Sequence, residues 1–216
     1  MYPNVKRIID FNLAFIALLI LLPILLVISL LIKVDSRGPV MFTQQRVGRK
    51  RQPFDIYKFR TMRIDTPNDV PTCRLENPKA YITGIGSFLR KTSLDELPQL
   101  INILKGDMSF IGPRPVVLNE LDLVNQRERY GANDALPGIT GLAQINGRDE
   151  LSSEIKAKYD GKYVNDICFV TDLKILLKTI LYVLQSKGVI EGASLRNVDR
   201  SDIRNKHVAE KKTGIR

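Results

Sequence analysis

Two adjacent carboxylates, Asp95 and Glu96, sit inside the stretch TSLDELPQLINILKGDMSFIGPRP at residues 92–115. Ser93-Leu94-Asp95-Glu96 fits a helix capping box, with Ser93 at the N-cap and Glu96 three positions on. In that reading the acids only close a helix start. A chemical reading competes with it: an aspartate at the positive end of a helix stays ionised and can attack phosphorus or hold Mg²⁺. Pro98, which disturbs the first turn of a helix, and the nearby cations Arg90, Lys91 and Lys105 favour the chemical reading.

Other residues suit phosphate. Gly112-Pro113-Arg114-Pro115 is a rigid turn that projects one arginine, whose planar fork matches phosphate oxygens. Lys58, Arg60 and Arg63 fall on or just after a predicted strand, where they line a phosphate pocket or face water. Gln144, Asn146 and Arg148, in GLAQINGR, can read a base, a sugar or a phosphate, or serve as turn-forming side chains.

Composition removes several alternatives. His207 is the single histidine, which disfavours a Ser-His-Asp triad and a histidine-based zinc site. Cys73 and Cys168 fit no metal spacing and read as reduced thiols facing the cytosol. The chain lacks a P-loop lysine motif, a Rossmann glycine fingerprint and a nucleic-acid module, so nucleic acid is not an expected partner. With 33 Lys and Arg against 23 Asp and Glu, the formal charge of +10 implies an anionic partner, such as phospholipid headgroups or a nucleotide.

The elements that must position these residues follow from periodicity. VMFTQQRVG and FDIYKFRTM read as two strands joined by the polar loop GRKRQP. Helices are expected over 84–90, 94–104, 118–130 (with Leu118, Leu121 and Val124 on one face) and 152–163. Residues 64–80 read as loop, and 136–148 as loop plus a short strand. Residues 167–185 form an apolar helix interrupted by Asp172, Lys174 and Lys178, which either lies in the headgroup plane or packs in a core. The fold class is α+β, mainly helical, with a short β-hairpin. The tail beyond residue 197 is polar and basic.

Residues 11–32 carry no charge and would extend roughly 33 Å as a helix, against a bilayer core of about 30 Å. Pro23 lies near the middle. Lys6 and Arg7 precede the segment, and Lys33, Arg37, Arg46, Arg49, Lys50 and Arg51 follow it. Positive charge favours the cytoplasm and here flanks both ends. A kinked spanning helix and a hairpin-like helix that returns to its side of entry both fit, and physics alone favours the kinked span.

The succession KRIIDF, the proline-interrupted apolar segment, GPVMFTQQRVG, YKFRTM, LRKTSLDELPQLINILKGDMSFIGPRP, LPGITGLAQINGR and TDLKI resembles the bacterial sugar transferases, the monotopic polyprenyl-phosphate phosphoglycosyl transferases. The likeness covers residues 4–180 or so and has the short form, with the catalytic unit alone. It implies transfer of a sugar 1-phosphate from a UDP-sugar to undecaprenyl phosphate, giving UMP, as a first membrane step in assembling lipopolysaccharide, capsule or glycoprotein glycans. Asp95 would be the nucleophile that forms an aspartyl phosphosugar and would contact Mg²⁺, with Glu96 supporting the metal or acting as acid/base. Arg90 would meet a phosphate or lipid headgroup. Gly112, Pro113, Arg114 and Pro115 match the nucleotide-side motif, and Lys58, Arg60 and Arg148 become candidate phosphate contacts.

The likeness also implies a re-entrant helix–break–helix over 1–34, broken at Pro23, with a cytoplasmic domain over 35–197, membrane-interface amphipathic helices and a basic tail over 198–216. The location implied is the cytoplasmic face of the bacterial inner membrane, against anionic phospholipid. Leu22 precedes Pro23 where the family often has serine, so a side chain able to satisfy the freed backbone groups is lost there. Two rivals remain: direct sequential attack by the lipid phosphate, and a non-catalytic tethered scaffold. The transferred sugar and the oligomeric state are not encoded in any motif.

Overall fold

A computed structural model of the chain describes residues 2–66, 78–147 and 151–184. Arg148, Cys73, His207 and the basic tail lie outside these ranges. The described residues are mainly helical, with two small two-stranded sheets.

Helix α1 spans Tyr2–Asp35 and runs unbroken through Pro23. The expected helix–break–helix is therefore not seen as a gap in the helical backbone. Proline removes one N–H from the ladder, and the inner face on either side of it is clamped by packing. Ala14, Ala17, Leu18 and Leu21 join Ile56, Leu100 and Ile103, while Leu25, Ile28 and Ile32 join Phe59 and Leu89. The outer face, including Phe11, Phe15, Leu19, Ile20, Leu26, Val27 and Leu30, is exposed.

Both ends of α1 are tied to the same body. At the start, Lys6 pairs with Asp172 at 2.8 Å, Arg7 donates to the carbonyls of Ile103 and Leu104, and Asp10 accepts from Ser109 at 2.7 Å. At the end, Asp35 accepts from the Ile85 amide at 3.1 Å.

Strands β1 (Met41–Val47) and β2 (Pro53–Phe59) form the expected antiparallel hairpin, with Phe42 opposite Lys58 and Arg46 opposite Phe54. A short helix α2 (Pro78–Tyr81) overlaps the end of the stretch expected to be loop. Helix α3 (Gly84–Thr92) starts at Thr83, whose hydroxyl accepts from the Gly86 amide.

The helix expected over 94–104 is divided. Leu94–Glu96 is a single 3₁₀ turn, and α4 runs only from Gln99 to Lys105. Asn102 of α4 is fully buried and stitches it to β2: its Oδ1 accepts from the Tyr57 amide (3.0 Å) and its Nδ2 donates to the Asp55 carbonyl (2.7 Å).

Strand β3 (Ser109–Ile111), absent from the sequence-based expectation, pairs in parallel with β4 (Gly138–Thr140), the expected short strand. Helix α5 is Leu121–Glu128, shorter than expected, and its buried face is Leu123, Val124 and Arg127; Leu118 and Leu121 face solvent. Helix α6 (Ser153–Asn165) is capped by Ser152, and α7 covers Phe169–Leu184. One edge of α7 packs through Ile175, Thr179 and Asp172, while Phe169, Val170, Leu173, Leu176, Leu177, Ile180 and Leu181 form an exposed apolar stripe.

Candidate active site

The two acids lie where β2, α3, the 3₁₀ turn and the Gly112–Pro115 turn converge. Ser93 both ends α3 and begins the turn, in the left-handed region at φ 57°. That conformation is uncommon for a residue with a side chain. Ser93 makes no side-chain cap bond, so the expected capping box is not formed. Glu96 points instead at two cations: Lys58 Nζ lies 2.8 Å and Arg114 Nη2 2.7 Å from its Oε1. A carboxylate between two buried-side cations is worth more than a backbone cap on an exposed helix end, because charge-assisted bonds strengthen where water is scarce.

Asp95 is treated differently. It is buried, yet its carboxylate makes no direct hydrogen bond or ion pair with another described residue. Burial raises its pKa above the ordinary carboxylate range. Lys58 opposes that, neighbouring Glu96 adds to it, and Arg90 and Arg114 oppose it at longer range. The site thus holds one acid pinned by two cations and one without such a pair among the described residues. Burial also pushes the Lys58 ammonium down, with Glu96 pulling it back up.

Of the residues singled out in the sequence, Lys58, Arg90, Asp95, Glu96 and Arg114 come together. Arg90 is steadied by Thr61, whose hydroxyl accepts from Nε at 3.0 Å. Gly112, Pro113 and Pro115 are buried and shape the turn that delivers Arg114. A Cβ at Gly112 would overlap the Leu136 carbonyl, so only glycine lets this turn lie against the chain entering β4.

Arg60 stands apart from the cluster. Its guanidinium donates to the carbonyls of Ser36 and Arg37 and to the Ser36 hydroxyl, locking the exit of α1. Asn146 donates to the Leu142 carbonyl within its own turn. Gln144 is buried beside Gly141, and neither of its amide atoms has a partner among the described residues, so it keeps the means to read a ligand. Arg148 falls outside the described residues, and Pro23 lies in α1 away from this cluster.

One residue escaped the sequence reading as a site component. Arg46, counted there only as a charge flanking the membrane segment, faces Arg114, Glu120 and Glu96 from β1. Burial lowers its pKa to about 10, and Arg114 adds to that. Its Nη2 donates to Gln44 at 2.6 Å, and its buried Nε has no partner among the described residues. The signal available was its phase on the strand, two residues from Gln44.

No group of three His, Cys, Asp or Glu side chains assembles among the described residues. The donor set on offer is the Asp95–Glu96 pair. That suits Mg²⁺, which is commonly held by one or two carboxylates, with substrate phosphates and water completing the shell.

Comparison with known proteins points the same way. The bacterial sugar transferase family profile matches residues 1–186. The exopolysaccharide production protein ExoY of Sinorhizobium fredii is 38% identical over 197 residues, covering 85% of this chain and 87% of the relative. The undecaprenyl-phosphate galactose phosphotransferase of Salmonella typhimurium is 38% identical over 198 residues (85% of this chain, 41% of the relative). The UDP-glucose:undecaprenyl-phosphate glucose-1-phosphate transferase of Escherichia coli is 40% identical over 196 residues (88% of this chain, 41% of the relative). With a family match that spans most of its length and a buried acid pair ringed by cations, the chain is an enzyme that belongs to the bacterial sugar transferases.

Proposed function

We propose that the protein transfers a sugar 1-phosphate from a UDP-sugar to undecaprenyl phosphate in two displacements through Asp95. The observation that carries this reading is the unequal treatment of the two acids: Glu96 is held by Lys58 and Arg114, while Asp95 is buried with no direct hydrogen bond or ion pair to another described residue.

In the first displacement an Asp95 carboxylate oxygen attacks the sugar-bearing phosphorus. The bond from that phosphorus to the bridging oxygen breaks, and UMP leaves. In the second, an oxygen of the lipid phosphate attacks the same phosphorus, restoring Asp95 and giving undecaprenyl-diphosphate sugar. Dividing the reaction this way suits a carboxylate nucleophile. Lys58, Arg90 and Arg114 are already in place around the charge that builds on the phosphoryl oxygens, so little reorganisation is needed when it develops. Mg²⁺, held by Asp95 with support from Glu96, would supply further charge neutralisation and a template for the diphosphate. We assign Gln144 and the Gly112–Pro115 turn to the nucleotide-sugar side, and Arg60, whose bonds to Ser36 and Arg37 support this, to holding the exit of α1.

The membrane arrangement belongs to the same proposal. A helix of 34 residues is about 51 Å long. It is long and apolar enough to cross a bilayer. Both its ends are bound to one body that carries the charged site. A perpendicular span would drag that body into the hydrocarbon, where its charges are costly. We place α1 in one leaflet, entering and leaving from the cytoplasmic side of the bacterial inner membrane, with its exposed apolar face toward lipid. The apolar stripe of α7 lies at the interface, with Lys174 and Lys178 reaching anionic headgroups.

The test is to incubate the purified protein with Mg²⁺ and a panel of UDP-sugars without lipid acceptor. A stoichiometric burst of UMP, with a phosphosugar adduct on the peptide containing Asp95, is expected. UMP release only when acceptor is present, with no adduct, would replace the two-step route by direct attack of the lipid phosphate.

A further inference from the structure

The Gly112–Pro115 turn is held from behind by buried side chains of α5 and α6. Arg127 of α5 donates from Nη2 to the Arg114 carbonyl at 3.0 Å. Its Nε and Nη2 lie 2.8 and 2.7 Å from Asp160 Oδ2 on α6. Arg127 is 5% and Asp160 1% exposed, so neither is answering water. Three residues along α6, the Tyr163 hydroxyl lies 3.0 Å from the Ile111 carbonyl, at the other end of the same turn. Helix α6 lies close to the end of α5 because it carries Gly161, where a Cβ would overlap the Tyr130 side chain. Between these anchors the Gly138 amide donates to the Pro113 carbonyl.

A buried ion pair is a costly way to hold two helices together, and apolar side chains of similar size often do it as well or better. An apolar pair, however, cannot donate to the Arg114 carbonyl. We propose that Arg127 and Asp160 are positioning residues for the reaction: Asp160 fixes the Arg127 fork, and Arg127 fixes the Arg114 backbone so that the Arg114 guanidinium meets Glu96. This rests on the transferase reading above.

The double variant R127M/D160L separates bracing from packing, because it removes both charges together and leaves the net charge unchanged. Three changes are expected. The melting temperature stays near that of wild type, and UMP release slows at least tenfold. Amide hydrogen exchange across residues 112–117 quickens at least tenfold. The loss should also fall on kcat rather than on the KM for the UDP-sugar, as expected when a group that acts in the transition state is misplaced. Wild-type rates of UMP release in this variant overturn the proposal, whatever the exchange shows.

Should the double variant fail to fold, Arg127→Lys decides by the same readouts. It keeps the charge but replaces the planar fork that Asp160 fixes with a single rotatable ammonium, so the direction of the bond to the Arg114 carbonyl is no longer set. If the wild-type protein itself releases no UMP from any UDP-sugar, the transferase reading fails. The exchange measurement alone then decides the brace: unchanged exchange across 112–117 overturns it.

Discussion

Asp95 carries a conflict between stability and reactivity. Burial favours its neutral form, yet attack on phosphorus requires the anion. Its folded-state pKa lies above the unfolded value of about 3.9. The folded protein therefore binds that proton more tightly, and stability falls as pH rises through the window between the two values. Above that window the cost is fully present. Asp95→Asn should abolish the UMP burst and also raise the melting temperature at neutral pH, by roughly 2–4 °C for each kcal/mol relieved. A variant that keeps turnover, or that melts lower than wild type, contradicts this account. The same shift places the acid limb of the wild-type pH–rate profile above the ordinary carboxylate range. A limb near pH 4 in a pH-jump measurement of the burst would contradict it. The residue types of this site were legible in the sequence, because carboxylates beside arginine-bearing turns suit phosphate chemistry. Their division of labour was not. Ser93 and Glu96 have the right spacing to cap a helix, and only the arrival of Lys58 and Arg114 from distant segments draws Glu96 away.

At the level of elements, the hairpin and the helices at 84–92 and 153–165 were legible because local periodicity and turn residues define them. Strand β3 was not. Three residues carry too little pattern, and its partner lies at 138–140, beyond any local window. Arg46 was hidden for a related reason: beside an apolar segment it reads as a membrane-flanking charge, and only strand phase turns it toward Arg114. Asn102 is another such case, since an asparagine in a short helix gives no hint that it completes the edge of β2. Asn102→Ala removes three partly buried hydrogen bonds, to the Tyr57 amide, the Asp55 carbonyl and the Asp107 carboxylate. A loss of about 2–3 kcal/mol is expected, read as a melting temperature lower by roughly 4–12 °C. Lys58 is next to Tyr57, so UMP release should fall more than stability alone explains. A variant that melts like wild type would show that water replaces the amide without cost.

For the molecule as a whole, sidedness is the open quantity that α1 makes measurable. Cys168 is exposed at the start of α7 and reports the position of the body. With Cys73 replaced by serine, a cysteine introduced at Asn4 should react with a membrane-impermeant maleimide from the same face of sealed vesicles as Cys168. Labelling from opposite faces would restore the spanning helix that charge and length alone also permit.

The inner face of α1 is not an attachment to a finished core but part of it: Ala14, Ile28 and Ile32 are as enclosed as Ile56, Leu89 and Ile103. A soluble fragment made by trimming the first 35 residues would expose two apolar clusters at once and should aggregate rather than work. With α1 in the leaflet as proposed, newly made chain would meet lipid while its interior is still incomplete, and insertion and folding would become a single event. Whatever delivers the greasy helix to the bilayer also decides whether an enzyme forms at all.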